Sequence, residues 1–207
     1  MAEPLCATMP TPVPAPMLES FRVSHVRGPV TQQIRQAVLL AGGQPAWEAL
    51  LEKVSEECRS LFMGPIGSYE WVDADLAAEM NLAFLEFKGP DWILSRGRSA
   101  AREQLLMVHR WLIKLASPEF LLNNAPRMLG LYYRGCKGTV EHIGSGEAVL
   151  KLWAQGYYRE WYSHGLVGWL QGALELSGAK DLRIHHQPPA GRGMDSVCHR
   201  YRVTWNP

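Results

Sequence analysis

The last fifty or so residues constrain the fold more than any other part of this chain. Residues 157–177 read as one amphipathic helix that stops at Gly178. Behind it come residues 181–186 and 199–205, each alternating apolar and polar side chains with the period of a half-buried strand. A loop containing Gly, Pro and Asp joins the two runs. A helix feeding straight into a two-stranded hairpin lays its apolar face on that sheet. The chain therefore closes as α+β, with aromatic residues gathered at the helix–sheet boundary.

Upstream, the pattern is helical. Residues 30–41 put Val30, Ile34, Ala37, Val38 and Ala41 on one face, and Gly42-Gly43 ends the run. Pro45 opens a second helix where its missing N–H is harmless, and the apolar set of that helix runs from Trp47 through Leu50, Leu51, Val54 and Cys58 to Phe62. A third helix covers about residues 73–87, with Asp73 or Asp75 placed to cap it. The longest covers about 99–116, and Ser117-Pro118 starts a short one through Asn124. Then the period changes. Residues 128–134 and 139–143 read as a hairpin, followed by a third extended run over 148–153. The expectation is an N-terminal helical bundle packed on a C-terminal antiparallel sheet of four to five strands, with one helix inserted between the hairpins. Residues 1–19 are Pro-rich, cannot build a core and read as a disordered tail, leaving residues 20–207 as a single domain.

Lys+Arg 21 against Asp+Glu 20 leaves the chain almost neutral, so charge gives no reason to expect nucleic acid or an anionic membrane as partner. No apolar run approaches the ~20 residues of a membrane span. The N-terminus lacks the basic-then-apolar start of a secretory signal. Cys6, Cys58, Cys136 and Cys198 are scattered and read as reduced thiols in a cytoplasmic protein. Eight tryptophans are many for 207 residues and imply aromatic surface in the core or around a cavity.

The helix bundle, the hairpins, the segment Glu175-Leu-Ser-Gly-Ala-Lys-Asp-Leu-Arg-Ile184 and the terminal Cys198-His-Arg-Tyr-Arg-Val-Thr-Trp205 together resemble one superfamily. It contains the haem-nitric-oxide-binding domains, the 4-vinyl-reductase-type sensor domains and the trafficking-complex subunits that share their fold. Within it the chain most resembles a myxobacterial paralogous family of unknown function ending in the same Tyr-x-Val-x-Trp strand. The likeness runs over about residues 20–205. It implies a small-molecule-binding or docking module, commonly dimeric, rather than an enzyme.

Carried over residue by residue, the cofactor sites of that superfamily do not transfer whole. Haem-binding relatives hold the propionates with Tyr-x-Ser-x-Arg. The run here is Tyr132-Tyr133-Arg134-Gly135-Cys136, with Arg134 where Ser would stand and Cys136 where Arg would stand. His109 lies at a separation suited to a proximal iron ligand, although a lone His on a helix apolar along one side is more often a boundary residue. Zinc-bearing relatives cluster Cys and an acid about the final helix and hairpin. Cys198, Glu175 and one of His185 and His186 supply three ligands where a tetrahedral site needs four, because adjacent strand residues face opposite ways. The expectation is therefore no metal and no cofactor, neither haem nor zinc.

No other grouping demands catalysis. Glu160 and His164 are four apart on a predicted helix, a spacing that surface ion pairs share. Ser163 and His164 are neighbours that a helix splays apart by ~100°. Gly144-Ser-Gly146 lacks the Gly-Lys-Ser/Thr ending of a phosphate loop and reads as a turn. Arg96, Arg98 and Arg102 form a modest basic cluster, either a solvated helix start or a partner for an acidic group. Gly165, Gly168 and Gly172 are more telling, since each costs ~1 kcal/mol in a helix interior relative to alanine. Something approaches that helix closely: either the sheet packs tightly on it, or a ligand needs the room.

Two functional classes follow. In the first, the domain is a sensor-type signalling module whose aromatic-lined pocket takes an apolar or aromatic small molecule. The ligand-binding residues are then His109, Trp111, Tyr133, Trp153, Trp161, Tyr162 and Trp169. In the second, the same aromatics fill the core of a structural or scaffolding homodimerisation module without a ligand.

Overall fold

The computed structural model describes residues 15–113 and 117–206, without the side chains of residues 15–16, 106–113 and 142–143. The Pro-rich stretch up to residue 14 lies outside the described residues, and a short helix, α1 (Ala15–Glu19), follows it. Three strands of a small antiparallel sheet, β1 (His25–Arg27), β2 (Trp71–Asp73) and β3 (Tyr133–Arg134), are ordered β2-β1-β3. Only β3, the end of the run over residues 128–134, falls where a strand is expected, because β1 and β2, of three residues each, are too short to show a period.

Between them run the N-terminal helices. α2 (Gly28–Leu51) kinks at Gly43, whose φ of 68° lies in the left-handed region that glycine adopts without a Cβ penalty. The Gly-Gly break and the restart at Pro45 are thus real, within one bent element. α3 (Glu56–Met63) is set off from it by Ser55, whose hydroxyl accepts the Cys58 N–H at 3.2 Å. α4 (Ala74–Lys88) is capped by Asp73, which accepts the N–H groups of Asp75 at 2.8 Å and Leu76 at 3.3 Å. α5 (Pro90–Ile113) starts well before residue 99, because Gly89 ends α4 at φ 78° and Pro90 takes the first helical turn.

The largest departure is α6 (Pro118–Tyr132), which continues across Pro126 through residues expected to form a strand. Leu121, Leu122, Ala125 and Leu129 recur at helical spacing and are all buried, and that face outweighs the aromatic run that reads as β. The first hairpin is instead β4 (Lys137–Gly144) with β5 (Glu147–Trp153). The inserted helix follows, first as a wide π turn over Trp161–Gly165 and then as α7 (Leu166–Leu176). It begins only after Gly156 and Tyr157, both at positive φ. β6 (Lys180–Gln187) and β7 (Cys198–Asn206) complete a second sheet, ordered β4-β5-β7-β6 and antiparallel throughout.

The architecture is α+β, with helices leaning on antiparallel sheets as expected. Ala148, Leu150 and Leu152 of β5 and Tyr201, Val203 and Trp205 of β7 alternate inward and pack with α5, α6 and α7 as one core. Ile34, Val38, Trp47, Phe62, Met80 and Phe84 form a second core among α2, α3 and α4. Among the described residues no helix is long and apolar enough to cross a membrane.

Candidate functional site

α5 and α7 cross in direct backbone contact. A Cβ on Gly97 would stand 2.2 Å from the Gly165 carbonyl oxygen, one on Gly168 2.0 Å from the Leu94 oxygen, and one on Gly172 2.4 Å from the Arg98 oxygen. The α7 glycines thus answer to tight packing, but the partner is helix α5 and not the sheet. A periodicity cannot show which surface a helix meets.

Beside this crossing lies a cavity of about 60 Å³ between α2, α5, the end of α6 and the π turn. Ile93, Met128, Leu129 and Leu166 form apolar walls, and Tyr133, Tyr157, Tyr158, Trp161 and Trp169 the aromatic ones. The rings hold one another at angles. The Tyr133 and Trp161 centroids are 4.5 Å apart, and Tyr157 meets Trp161 edge to face at 5.6 Å. Trp161 Nε1 donates to the Tyr133 hydroxyl at 3.0 Å, and Trp169 Nε1 to Gln104 Oε1 at 2.9 Å. Burial pushes the Tyr133, Tyr157 and Tyr158 phenols up, so they stay protonated. They act as hydroxyl donors and acceptors, not as phenolates.

The basic cluster divides in two. Arg98 and Arg102 both engage Glu175, at 2.7 and 3.1 Å, and brace α5 against α7. Arg96 turns to the cavity instead. Its Nη2 donates to the Val30 carbonyl at 3.3 Å, its Nε is buried without a hydrogen-bond partner, and among the described residues no carboxylate pairs with it.

The residues expected to bind a ligand are only partly brought together. Tyr133, Trp161 and Trp169 line the cavity. Tyr162 turns away to stack on His199, rings 4.0 Å apart and 11° from parallel, while its hydroxyl donates to the Gly156 carbonyl at 2.9 Å. Trp153 lies on the face of β5 opposite Leu152, by strand alternation, and is not among the cavity residues. The side chains of His109 and Trp111 lie outside the described residues. Sequence reasoning missed Tyr157 and Tyr158, absorbed into the predicted helix, and Arg96, which looked like its two paired neighbours. A bend at Gly156 before a Tyr-Tyr pair was the available signal.

Other groupings settle into structural roles. His186 Nε2 and His199 Nδ1 share a hydrogen bond at 3.0 Å, and His186 stacks on Tyr201. Burial lowers both imidazoles to about 4, helped at His186 by the charges of His185 and His164 and at His199 by that of His186. Ser163 Oγ and His164 Nδ1 lie 2.8 Å apart, against the expectation that helical neighbours diverge, because they sit in the π turn. Neither lines the cavity. Burial lifts the Cys58 thiol to about 12 and Cys136 to about 11, so neither is a reactive thiolate. Among the described residues no three His, Cys, Asp or Glu side chains converge as a metal site.

No protein-family model matches the chain, and no curated protein sequence does. Solved structures do. An H-NOX protein from S. oneidensis in the Fe(II)NO ligation state superposes with a TM-score of 0.65 at 12% identity, covering 87% of this chain and 99% of that one. The Fe(II) unliganded H-NOX protein from K. algicida gives 0.63 at 12%, covering 87% and 97%. A structure probing heme distortion in the H-NOX family gives 0.64 at 10%, covering 87% and 95%. At such identities the likeness is one of fold. It also corrects one expectation: the neighbours are described with heme and Fe(II), so the expectation of no cofactor, which set haem aside, does not hold against this fold. The chain has the H-NOX fold.

Proposed function

We propose that this chain is a sensor-type domain that binds a small molecule in the cavity between α2, α5, α6 and the π turn. The observation that carries the reading is the cavity itself: a tyrosine- and tryptophan-walled space with a guanidinium that no carboxylate pairs among the described residues, at the meeting of the helical layers. A purely structural core packs without such a space, and an idle guanidinium nitrogen is costlier to bury than the other idle buried donor among the described residues, the Trp205 indole of the core.

Haem is the group that the fold implies. The described residues fit its acidic edge: Arg96 and the hydroxyls of Tyr133 and Tyr158 would hold carboxylates. When bound, the group supplies an iron centre for a diatomic gas, as the Fe(II)NO neighbour illustrates. Its ring needs more than the 60 Å³ now open, so the aromatic walls must part to admit it. Among the described residues no imidazole or thiol lines the cavity, and His109 follows Gln104 on α5 by rather more than a turn. Titrating the purified chain with hemin and recording its absorption spectrum tests this. A saturable 1:1 Soret band that shifts with nitric oxide supports a gas-sensing module, and loss of that band in Trp161→Ala places the haem in this cavity. If neither haem nor any small molecule binds, the sensor reading fails.

The narrower kinship, with the myxobacterial paralogous family, draws on the Tyr201-x-Val203-x-Trp205 strand, whose three side chains all face the core. Cytoplasmic location and a signalling role belong to the same proposal. The scaffold reading gains from the backbone contact at Gly168, the mark of a helix pair built for rigidity. Light scattering at micromolar concentration tests the homodimer that it requires.

A further inference from the structure

A second space adjoins the first. A groove of about 300 Å³ runs between α2 and α5, walled by Gln36, Ala37, Leu40, Trp92 and Glu103, and it shares Gln33, Arg96 and Ala100 with the inner cavity. Arg96 therefore stands at the neck between an apolar chamber and an open groove. Its setting is that of an anchor without its anion. The Nε is buried and unpartnered, the acceptor its Nη2 finds among the described residues is a backbone carbonyl at 3.3 Å, and the guanidinium sits 5.7 Å from the Trp92 ring centroid. Glu103, the carboxylate on the groove wall, is not among the ion pairs of the described residues. The Tyr133 and Tyr158 hydroxyls donate to no acceptor among the described residues. A guanidinium whose buried Nε finds no acceptor is costly, and a carboxylate is the group its forked donors match.

The chamber sets the shape of the rest. A dry cavity of ~150 Å³ accepts a benzene ring, and this one encloses about 60 Å³. A ring does not enter without movement of the walls, whereas an unbranched chain of about three or four carbons does. We propose that Arg96 binds the carboxylate of a free aliphatic acid whose unbranched chain enters the chamber between Ile93, Leu129 and Leu166. This deepens the sensor reading and rests on it, but it assigns a ligand class that haem does not share.

The test is calorimetric titration of the full chain at pH 7.5 with butanoate and with 1-butanol, a neutral ligand of matching chain length short enough for the chamber. A charge-assisted pair of this kind predicts butanoate binding about tenfold to a hundredfold tighter than the alcohol. Arg96→Gln should abolish that preference while keeping butanol affinity, which also shows that the variant is folded, and Arg96→Lys should restore part of it. Equal affinities in the unaltered protein, or a preference that survives Arg96→Gln, overturn the assignment while leaving the cavity as a binding site. The unaltered protein's pair of affinities decides the matter even where a variant fails to fold. No binding of either probe also overturns it, and hemin titration then shows whether the wider sensor reading survives.

Discussion

Replacing Gly168 with alanine tests the helix crossing on which the site rests. The added Cβ would stand 2.0 Å from the Leu94 carbonyl oxygen, where ordinary contact begins at 3.4 Å, so the helices must part by the difference, about 1.4 Å. The obstacle is backbone, and no rotamer change relieves it. Overpacking of this kind costs ~1–3 kcal/mol, here at the upper end, and separating packed surfaces by even ~1 Å forfeits up to half of their dispersion wells. Alanine's better helix propensity returns ~1 kcal/mol. The net expectation is a loss of about 2 kcal/mol, or ~4–8 °C in Tm for a domain of this length. Gly130 is the control: it lies within α6, and a Cβ added there would meet no atom within 4 Å, so Gly130→Ala should gain up to ~1 kcal/mol and raise Tm by ~2–4 °C. Thermal unfolding followed by circular dichroism reads both. If Gly168→Ala is as stable as the unaltered protein, or falls no further than Gly130→Ala, the close approach of α5 and α7 is wrong.

Two other perturbations probe the surroundings. His186 and His199 titrate near 4 in the fold against 6.5 unfolded, so between those values the unfolded chain binds more protons. Stability should be full above pH 6.5 and decline as pH falls toward 4, by on the order of 4 kcal/mol for the pair, most of it from His199 because His186 is partly exposed; urea midpoints that stay level from pH 7 to 4.5 would contradict this. Asp73→Ala removes the acceptor for two N–H groups at the start of α4 and should cost ~1 kcal/mol in urea unfolding, whereas Asp75→Ala should lose less, since Asp75 makes only an exposed contact with Arg22.

What could be read before folding was whatever is encoded locally. The alternation over residues 199–205 emerged as β7 with Tyr201, Val203 and Trp205 inward, and the Asp73 cap and the Gly43 break emerged at their own positions. Each depends on near neighbours in the chain, so its signal survives without tertiary context. Residues 128–132 went the other way. Their aromatic content suits a strand, but burial of Leu129 beside Leu122 and Ala125 holds them helical, and that burial exists only once α6 has a partner.

The site shows the same division. Composition announced the aromatic content, and Tyr133, Trp161 and Trp169 do meet around one cavity. Yet three arginines within seven residues look alike in the sequence. Glu175, more than seventy positions away, claims Arg98 and Arg102 and leaves Arg96 to the cavity. Alternation likewise turns Trp153 away, and stacking on His199 draws off Tyr162. The chain by itself determined the α+β class, most of the helices, the long strands and the aromatic supply, because those follow from short-range period and capping. Which side chain faces the cavity, and which charge is left unpaired there, was decided by contacts between residues far apart in sequence, and only the packed structure brings those together.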